Sequence, residues 1–370
     1  MLPRVIRCPK YRIIRLLSLV GSGILSTILI LAMNVPLPTF MINAYYWANP
    51  DKGVFCHYIK SNSKTSLPDI SDYVPKEGKS IFFHETSCHS FINGKVTINS
   101  RQACAVESAA RMNPEHEVYL LYASPGNLVF ENTESDRLLK ALLEYSNVNI
   151  LHVDMERYFT KTPVEELYRK GSLKLSKYAQ SHTSDVLRYL TLWKYGGIYL
   201  DLDVIVIKSF DGLVTDFSGA ESHKAVAAGI MGFNYTGAGH EFATACLEDL
   251  KYNFKGHDWG WNGPGTITRL LKRICNVKTV DQMMKKSSCE GFKVYPASAF
   301  YAIPYWDWKW FFESQYLEVV EKMTVNSSLI HVWNGFSANT KIHIESTNVP
   351  YLEFAKKYCP NVLKQCDQYF

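Results

Sequence analysis

Apolar positions along the chain follow two periods. Short β-branched and aromatic runs predict strands at 79–84, 117–123 and 148–153. Between them, 102–113, closed by Pro114, and 137–145 read as helices. A further helix is predicted over 184–195, where Val186, Tyr189, Leu190 and Trp193 recur at helical spacing. Ser184 suits its N-cap and Gly196 the position after its last turn. The run 197–207 then reads as a buried strand, and 225–233 as another. Alternating strands and helices predict an α/β domain with a mostly parallel central sheet. In such sheets ligands bind at the carboxyl ends of the strands.

The N-terminal region departs from this pattern. Leu16 to Met33 carries only apolar or small uncharged residues, long enough to predict a transmembrane helix over 16–35. Arg4, Arg7, Lys10, Arg12 and Arg15 all lie on its N-terminal side, which predicts a cytosolic tail over 1–15 and a luminal body. A cleaved signal peptide is the alternative, but the run is long for one and no small-residue cleavage site follows. Residues 36–77, rich in Pro, Asn, Ser and Lys, read as a luminal stem, and 78–370 as a single catalytic domain. The formal net charge is +5; setting those five residues aside leaves 35 basic against 35 acidic side chains. A neutral body argues against nucleic acid as a partner.

The candidate chemistry centres on Gly196-Gly197-Ile198-Tyr199-Leu200-Asp201-Leu202-Asp203. Buried carboxylates are costly, and two together repel. On a strand, positions i and i+2 share a face, so Asp201 and Asp203 can converge on one divalent cation, which resolves both problems. Oxygen ligands suit Mn²⁺ or Mg²⁺. A strand end with two solvated aspartates is the bland alternative. Upstream, Asp185 and Arg188 are i, i+3 neighbours: either a surface ion pair of little consequence, or an acid and a guanidinium beside a metal site, suited to a diphosphate and a sugar.

Ser184-Asp185, Arg188 and Tyr195 through Asp203 resemble the DXD signature of sugar-nucleotide glycosyltransferases with the GT-A fold, and the wider chain resembles the α1,4-glycosyltransferases. The segments Ile81–Ser87, Cys104–Arg111, Gly263-Pro264, Phe300–Pro304 leading to Asp307-Trp308, and His331–Asn334 fit the same family. The resemblance implies a Golgi membrane enzyme of the type II, single-pass kind. It would transfer galactose or N-acetylgalactosamine from a UDP-sugar to a terminal sugar hydroxyl of a glycolipid, forming an α1,4 linkage with retention. It also implies that Asp185 and Arg188 contact the donor sugar. Asp203 is assigned to the metal, Asp201 to the metal or the ribose, and Glu85 to the border of the nucleotide. His331 is either a late metal ligand, as in related metal-dependent transferases, or a core histidine bonded to the backbone.

Trp259 and Trp261, with Asp307 and Trp308, predict an acceptor groove. Aromatic faces stack on sugar C–H surfaces, and Asp307 is placed to orient or deprotonate a hydroxyl; packing is the alternative for any single Trp. The 225–233 strand offers no carboxylate nucleophile, and Ala227-Ala228 stands where the family pattern has Asn-Gly. Front-face attack is therefore the expected route to retention. A non-catalytic carbohydrate-binding protein and a glycoside hydrolase are the competing classes; adjacent acids on one strand favour a shared ion over the two-sided hydrolase arrangement.

Of nine cysteines, Cys8 precedes the predicted span and the other eight follow it, which suits an oxidising compartment. Close spacing suggests Cys275–Cys289, Cys359–Cys366 and Cys88–Cys104 as pairs, although spacing does not fix connectivity. Asn234 and Asn326 begin glycosylation sequons.

Overall fold

The computed structural model describes residues 37–49, 52–60 and 64–370. The chain divides into two compact units, Met1–Asn49 and Pro50–Phe370. In the first, the described part is one helix, Leu37–Ala48. The expected tail and membrane span, 1–35, lie outside the described residues. Among the described residues no helix is long and apolar enough to cross a membrane.

The second unit begins earlier than the sequence suggested. Much of the segment read as a stem is built into it: Val54, Cys56, Leu67 and Ile70 are buried. Cys56 is disulfide-bonded to Cys88, and Ser66 and Asp69 form bridges with Asn127 and His152. Low periodicity reflected irregular backbone pinned to the body rather than a free spacer.

Seven strands form the central sheet: β1 (Ser80–Glu85), β2 (Glu117–Tyr122), β3 (Val148–His152), β4 (Gly197–Leu200), β6 (Phe217–Ala220), β7 (Val226–Phe233) and β8 (Lys293–Tyr295), in the order β3-β2-β1-β4-β7-β6-β8. β7 alone runs against the others, pairing antiparallel with β4 and β6. The sheet is thus mixed and mostly parallel, as expected. β1 is buried along its whole length. Ile81 and Phe83 face one core, shared with the helix Ser100–Met112. Phe82 faces the other, shared with the helices Ala179–Tyr195, Gly237–Asn253 and Pro264–Ile274. Burial on both faces explains the unbroken apolar runs.

The run 197–207 is not one strand. β4 ends at Leu200, and β5 (Val204–Val206) belongs to a separate two-stranded sheet with β9 (Leu329–His331). Asp201 and Asp203 therefore occupy the turn between two sheets. At the other end of β4, the Gly196-Gly197 pair lets the chain turn into the strand from the helix Ala179–Tyr195. Both have positive φ, 64° and 87°, and a Cβ on Gly197 would stand 2.4 Å from the Ser80 carbonyl oxygen.

Among the described residues three disulfides join Cys56–Cys88, Cys104–Cys359 and Cys275–Cys289. Only the last matches the spacing-based expectation. Cys88 and Cys359 take distant partners because tertiary contact, not proximity in sequence, brings their Cα atoms into range. Cys366 and Cys246 are buried free thiols.

Candidate active site

The helix that carries Asp185 and Arg188 begins at Ala179, five residues earlier than expected, so both sit inside it rather than at its N-terminus. Ser184 is not the cap; its Oγ accepts a hydrogen bond from Arg188 at 3.0 Å. Nor is the pair on the surface: Asp185 and Arg188 are buried. The guanidinium donates to the Ala228 carbonyl of β7 at 2.8 Å. It lies 3.4 Å from both Asp185 Oδ1 and Asp201 Oδ1, and 4.9 Å over the Tyr199 ring. One cation thus links the helix to the carboxyl end of β4. Burial pushes the Asp185 carboxyl up to about 7, against the lowering effect of Arg188. The guanidinium stays charged: burial opposes the charge, but Asp201 and the neighbouring groups outweigh it.

Asp201 continues the register of β4 against β7, donating its N–H to the Gly229 carbonyl at 2.8 Å. Its Oδ1 accepts from the Tyr199 hydroxyl at 2.7 Å. Burial acts to raise its pKa, yet Arg188 and His331 hold it down at about 2. A Cβ on Gly229 would stand 2.6 Å from Asp201 Oδ2, so a glycine is needed there for the carboxylate to lie as it does. The same logic applies to Gly263, where a Cβ would stand 2.2 Å from Asp185 Oδ1. Its carbonyl also accepts from the Tyr189 hydroxyl at 2.8 Å.

His331 arrives through the second sheet. β9 pairs antiparallel with β5, placing His331 opposite Val204. Its Nε2 is 3.1 Å from Asp203 Oδ1 and 3.9 Å from Asp201 Oδ2. Asp203 is anchored by the Asn334 N–H, which donates to Oδ2 at 2.7 Å. Both expectations for the histidine find a contact, since Nδ1 lies 3.3 Å from the Trp333 amide while Nε2 faces the acids. Burial alone would lower the imidazole pKa; Asp203 and Asp201 reverse this and raise it to about 10.

Ligand atoms of Asp201, Asp203 and His331 all lie within 4.8 Å of one another. Two carboxylate oxygens and an imidazole nitrogen form a donor set that fits Mn²⁺ or Mg²⁺, with remaining positions for phosphate or water oxygens. The high affinity of His331 for a proton expresses the same demand for positive charge.

Glu85 ends β1, buried, its carboxylate accepting from the Ser87 N–H and hydroxyl, each at 3.0 Å. Burial raises it to about 7. The loop Asp258–Gly263 runs beside Asp185. Within it Trp259 is 59% exposed, whereas Trp261 packs: its indole N–H donates to the Asn253 carbonyl, and Lys255 and Arg269 lie over its ring. Asp307 and Trp308 lie on the 3-10 helix Tyr305–Phe311, where Trp308 packs on Phe312. That helix reaches the acids through Tyr305, Trp333 and His331, whose rings touch in sequence. Of the sequons, Asn326 is exposed and Asn234 half-buried.

Sequence reasoning gave no role to Tyr301, whose ring is 5.4 Å from that of His331. A lone tyrosine in a family-like segment carries no spacing signal. The signal is spatial: a buried hydroxyl beside acids.

Two family models match the chain: the glycosyltransferase sugar-binding region containing the DXD motif, over residues 99–219, and the alpha 1,4-glycosyltransferase conserved region, over residues 235–366. Lactosylceramide 4-alpha-galactosyltransferase of Mus musculus is 33% identical over 292 residues, covering 78% of this chain and 76% of that protein. Alpha-1,4-N-acetylglucosaminyltransferase of Homo sapiens is 26% identical over 263 residues, covering 71% and 75%. Among solved structures, the apo form of glycosyltransferase GlyE from Streptococcus pneumoniae aligns over 78% of this chain and 63% of its own, at 9% identity and a TM-score of 0.41. With a DXD pair, a late histidine and a match over three quarters of a known relative, the chain belongs to the alpha-1,4-glycosyltransferase family.

Proposed function

We propose that the protein is a metal-dependent GT-A-type α1,4-glycosyltransferase. It moves galactose or N-acetylgalactosamine from a UDP-sugar to a terminal sugar hydroxyl of a glycolipid, with retention. The observation that carries this reading is the convergence of Asp201, Asp203 and His331 at the carboxyl end of β4, with the Arg188–Asp185 pair against it. A divalent cation held by those three residues would neutralise charge growing on the departing diphosphate. Arg188 adds a fixed positive charge on the β7 side, where Asp185 accepts hydrogen bonds from hydroxyls of the donor sugar. Glu85, at the end of β1, borders the nucleotide. The name of the mouse relative supports a glycolipid acceptor and an α-linked galactose; the human relative transfers a different sugar, so family membership alone does not choose the donor.

Retention by front-face attack is favoured because β7 presents only Ala227 and Ala228 where a nucleophile would stand. The aromatic groups Trp259 and Trp308, with Asp307, form the acceptor side. A membrane anchor over 16–35, a Golgi location with a luminal body, and glycosylation at Asn234 and Asn326 complete the proposal. The test is a donor-by-acceptor screen with Mn²⁺, with linkage and anomeric configuration read from the product. UDP-sugar hydrolysis or transfer that needs Mn²⁺ and is lost in Asp203→Ala supports the reading. Sugar binding without turnover of any donor would make the chain a carbohydrate-binding protein instead.

A further inference from the structure

Tyr301 holds a buried hydroxyl that the protein leaves unpaired. The residue is 2% exposed, and its Oη has no hydrogen-bond partner among the described residues. Buried hydroxyls are normally satisfied, and a phenylalanine would fill the same space without that penalty.

The ring cannot swing the hydroxyl elsewhere. It is enclosed by β6, where a Cβ on Gly219 would stand 3.1 Å from its Cε2, and by β7, where a Cβ on Gly229 would stand 3.3 Å from its oxygen. The rings of His331 and Trp333 lie against it, with centroids at 5.4 and 5.6 Å. Asp201 Oδ2 borders the same point above Gly229, at 2.6 Å. Gly229 thus stands where a side chain would separate the hydroxyl from Asp201, and Gly219 leaves room for the ring. A phenol hydroxyl carries one O–H donor, and here no protein acceptor among the described residues takes it up.

The acceptor's identity follows from position and rests on the donor reading above. Tyr301 meets the cluster over β7, the strand that Arg188 grips through Ala228. It thus lies beside the residues suited to a cation. The groups of a UDP-sugar that such a cation would meet are its phosphates, and the β-phosphate is the one joined to the sugar that the donor reading gives to Asp185 and Arg188. We infer that the Tyr301 hydroxyl donates a hydrogen bond to a β-phosphate oxygen of the donor nucleotide and so helps to hold the leaving group.

The test is calorimetric titration of the full chain in Mn²⁺ with UDP and, separately, with UMP, comparing wild type and Tyr301→Phe. A hydrogen bond to a charged oxygen predicts a UDP dissociation constant raised roughly ten-fold or more. UMP affinity should be unchanged, and the melting temperature equal or higher because an unpaired buried group is gone. Equal UDP affinity in the two proteins overturns the inference. Equal weakening for UDP and UMP also overturns it, since the contact would then lie on the α-phosphate or nucleoside. A lower melting temperature with unaltered nucleotide binding makes the hydroxyl structural and overturns it as well. If wild type binds neither nucleotide, the donor reading itself fails, and that result is distinct from all three.

Discussion

The Nε2 of His331 lies 3.1 Å from Oδ1 of Asp203, and the pairing of β5 with β9 is what brings them together. Val332 donates its N–H to the Asp203 carbonyl at 2.9 Å, so backbone and side chain hold the same contact. The acids raise the imidazole pKa to about 10. A cation binding at Nε2 must displace that proton below the raised pKa. Mn²⁺ affinity should therefore rise as pH increases from 6 to 8, with about one proton released per ion near neutrality. Calorimetry in buffers of different ionisation enthalpy measures that release. In His331→Gln the affinity should fall at least ten-fold and the proton release should vanish. Unchanged release in the variant would remove His331 from the site.

Arg188 spans Asp185, Asp201 and the Ala228 carbonyl, contacts that use the breadth of a guanidinium. A lysine reaches one of these at a time. Arg188→Lys should lower kcat/KM roughly 100-fold with the fold retained. Arg188→Ala leaves buried acids without their cation and should also cost about 3–5 kcal/mol in urea unfolding. Wild-type kinetics in Arg188→Lys would contradict this account.

Glu85 sets a pH dependence of stability. Its folded pKa of about 7 exceeds the ordinary 4.5, through burial. The folded chain then binds the proton more tightly than the unfolded one between these values. The stability contributed by the protonated acid is complete below 4.5 and is lost as pH rises through 7. Glu85→Gln removes this titration. Its stability relative to wild type should increase by roughly 1–3 kcal/mol between pH 5 and pH 8. Urea midpoints at the two pH values test it; a difference that does not change with pH would refute the buried acid.

The Cys104–Cys359 disulfide ties the helix Ser100–Met112 to the C-terminal helix Pro350–Tyr358 across 255 residues. Paired substitution to serine should destabilise the body by about 2–5 kcal/mol. Non-reducing peptide mapping should recover Cys56–Cys88, Cys104–Cys359 and Cys275–Cys289, with Cys246 and Cys366 as thiols. A Cys359–Cys366 peptide would show that the C-terminal segment is arranged differently.

Local physics made much of this legible. The apolar run through β4 and the β-branched β5, the periodic apolar face around Val186 and Tyr189, and the short Cys275–Cys289 loop all depend on neighbours in sequence. What escaped was non-local. The break between β4 and β5 is invisible because both halves are apolar and each reads as strand. The approach of His331 depends on strand pairing between distant segments, and Cys56 and Cys359 meet partners 32 and 255 residues away. Tyr301 shows the limit most clearly, since nothing in Phe300-Tyr301-Ala302 says that a glycine on β7 will stand beside its hydroxyl and one on β6 beside its ring.

The central claim is that Asp201, Asp203 and His331 hold one divalent cation against a nucleotide diphosphate. Anomalous scattering from a crystal grown with Mn²⁺ and UDP addresses it directly. The account predicts a single manganese peak within about 2.0–2.3 Å of all three side chains, shared with phosphate oxygens. Manganese bound elsewhere, or a diphosphate remote from these residues with the aspartates turned to solvent, would contradict it.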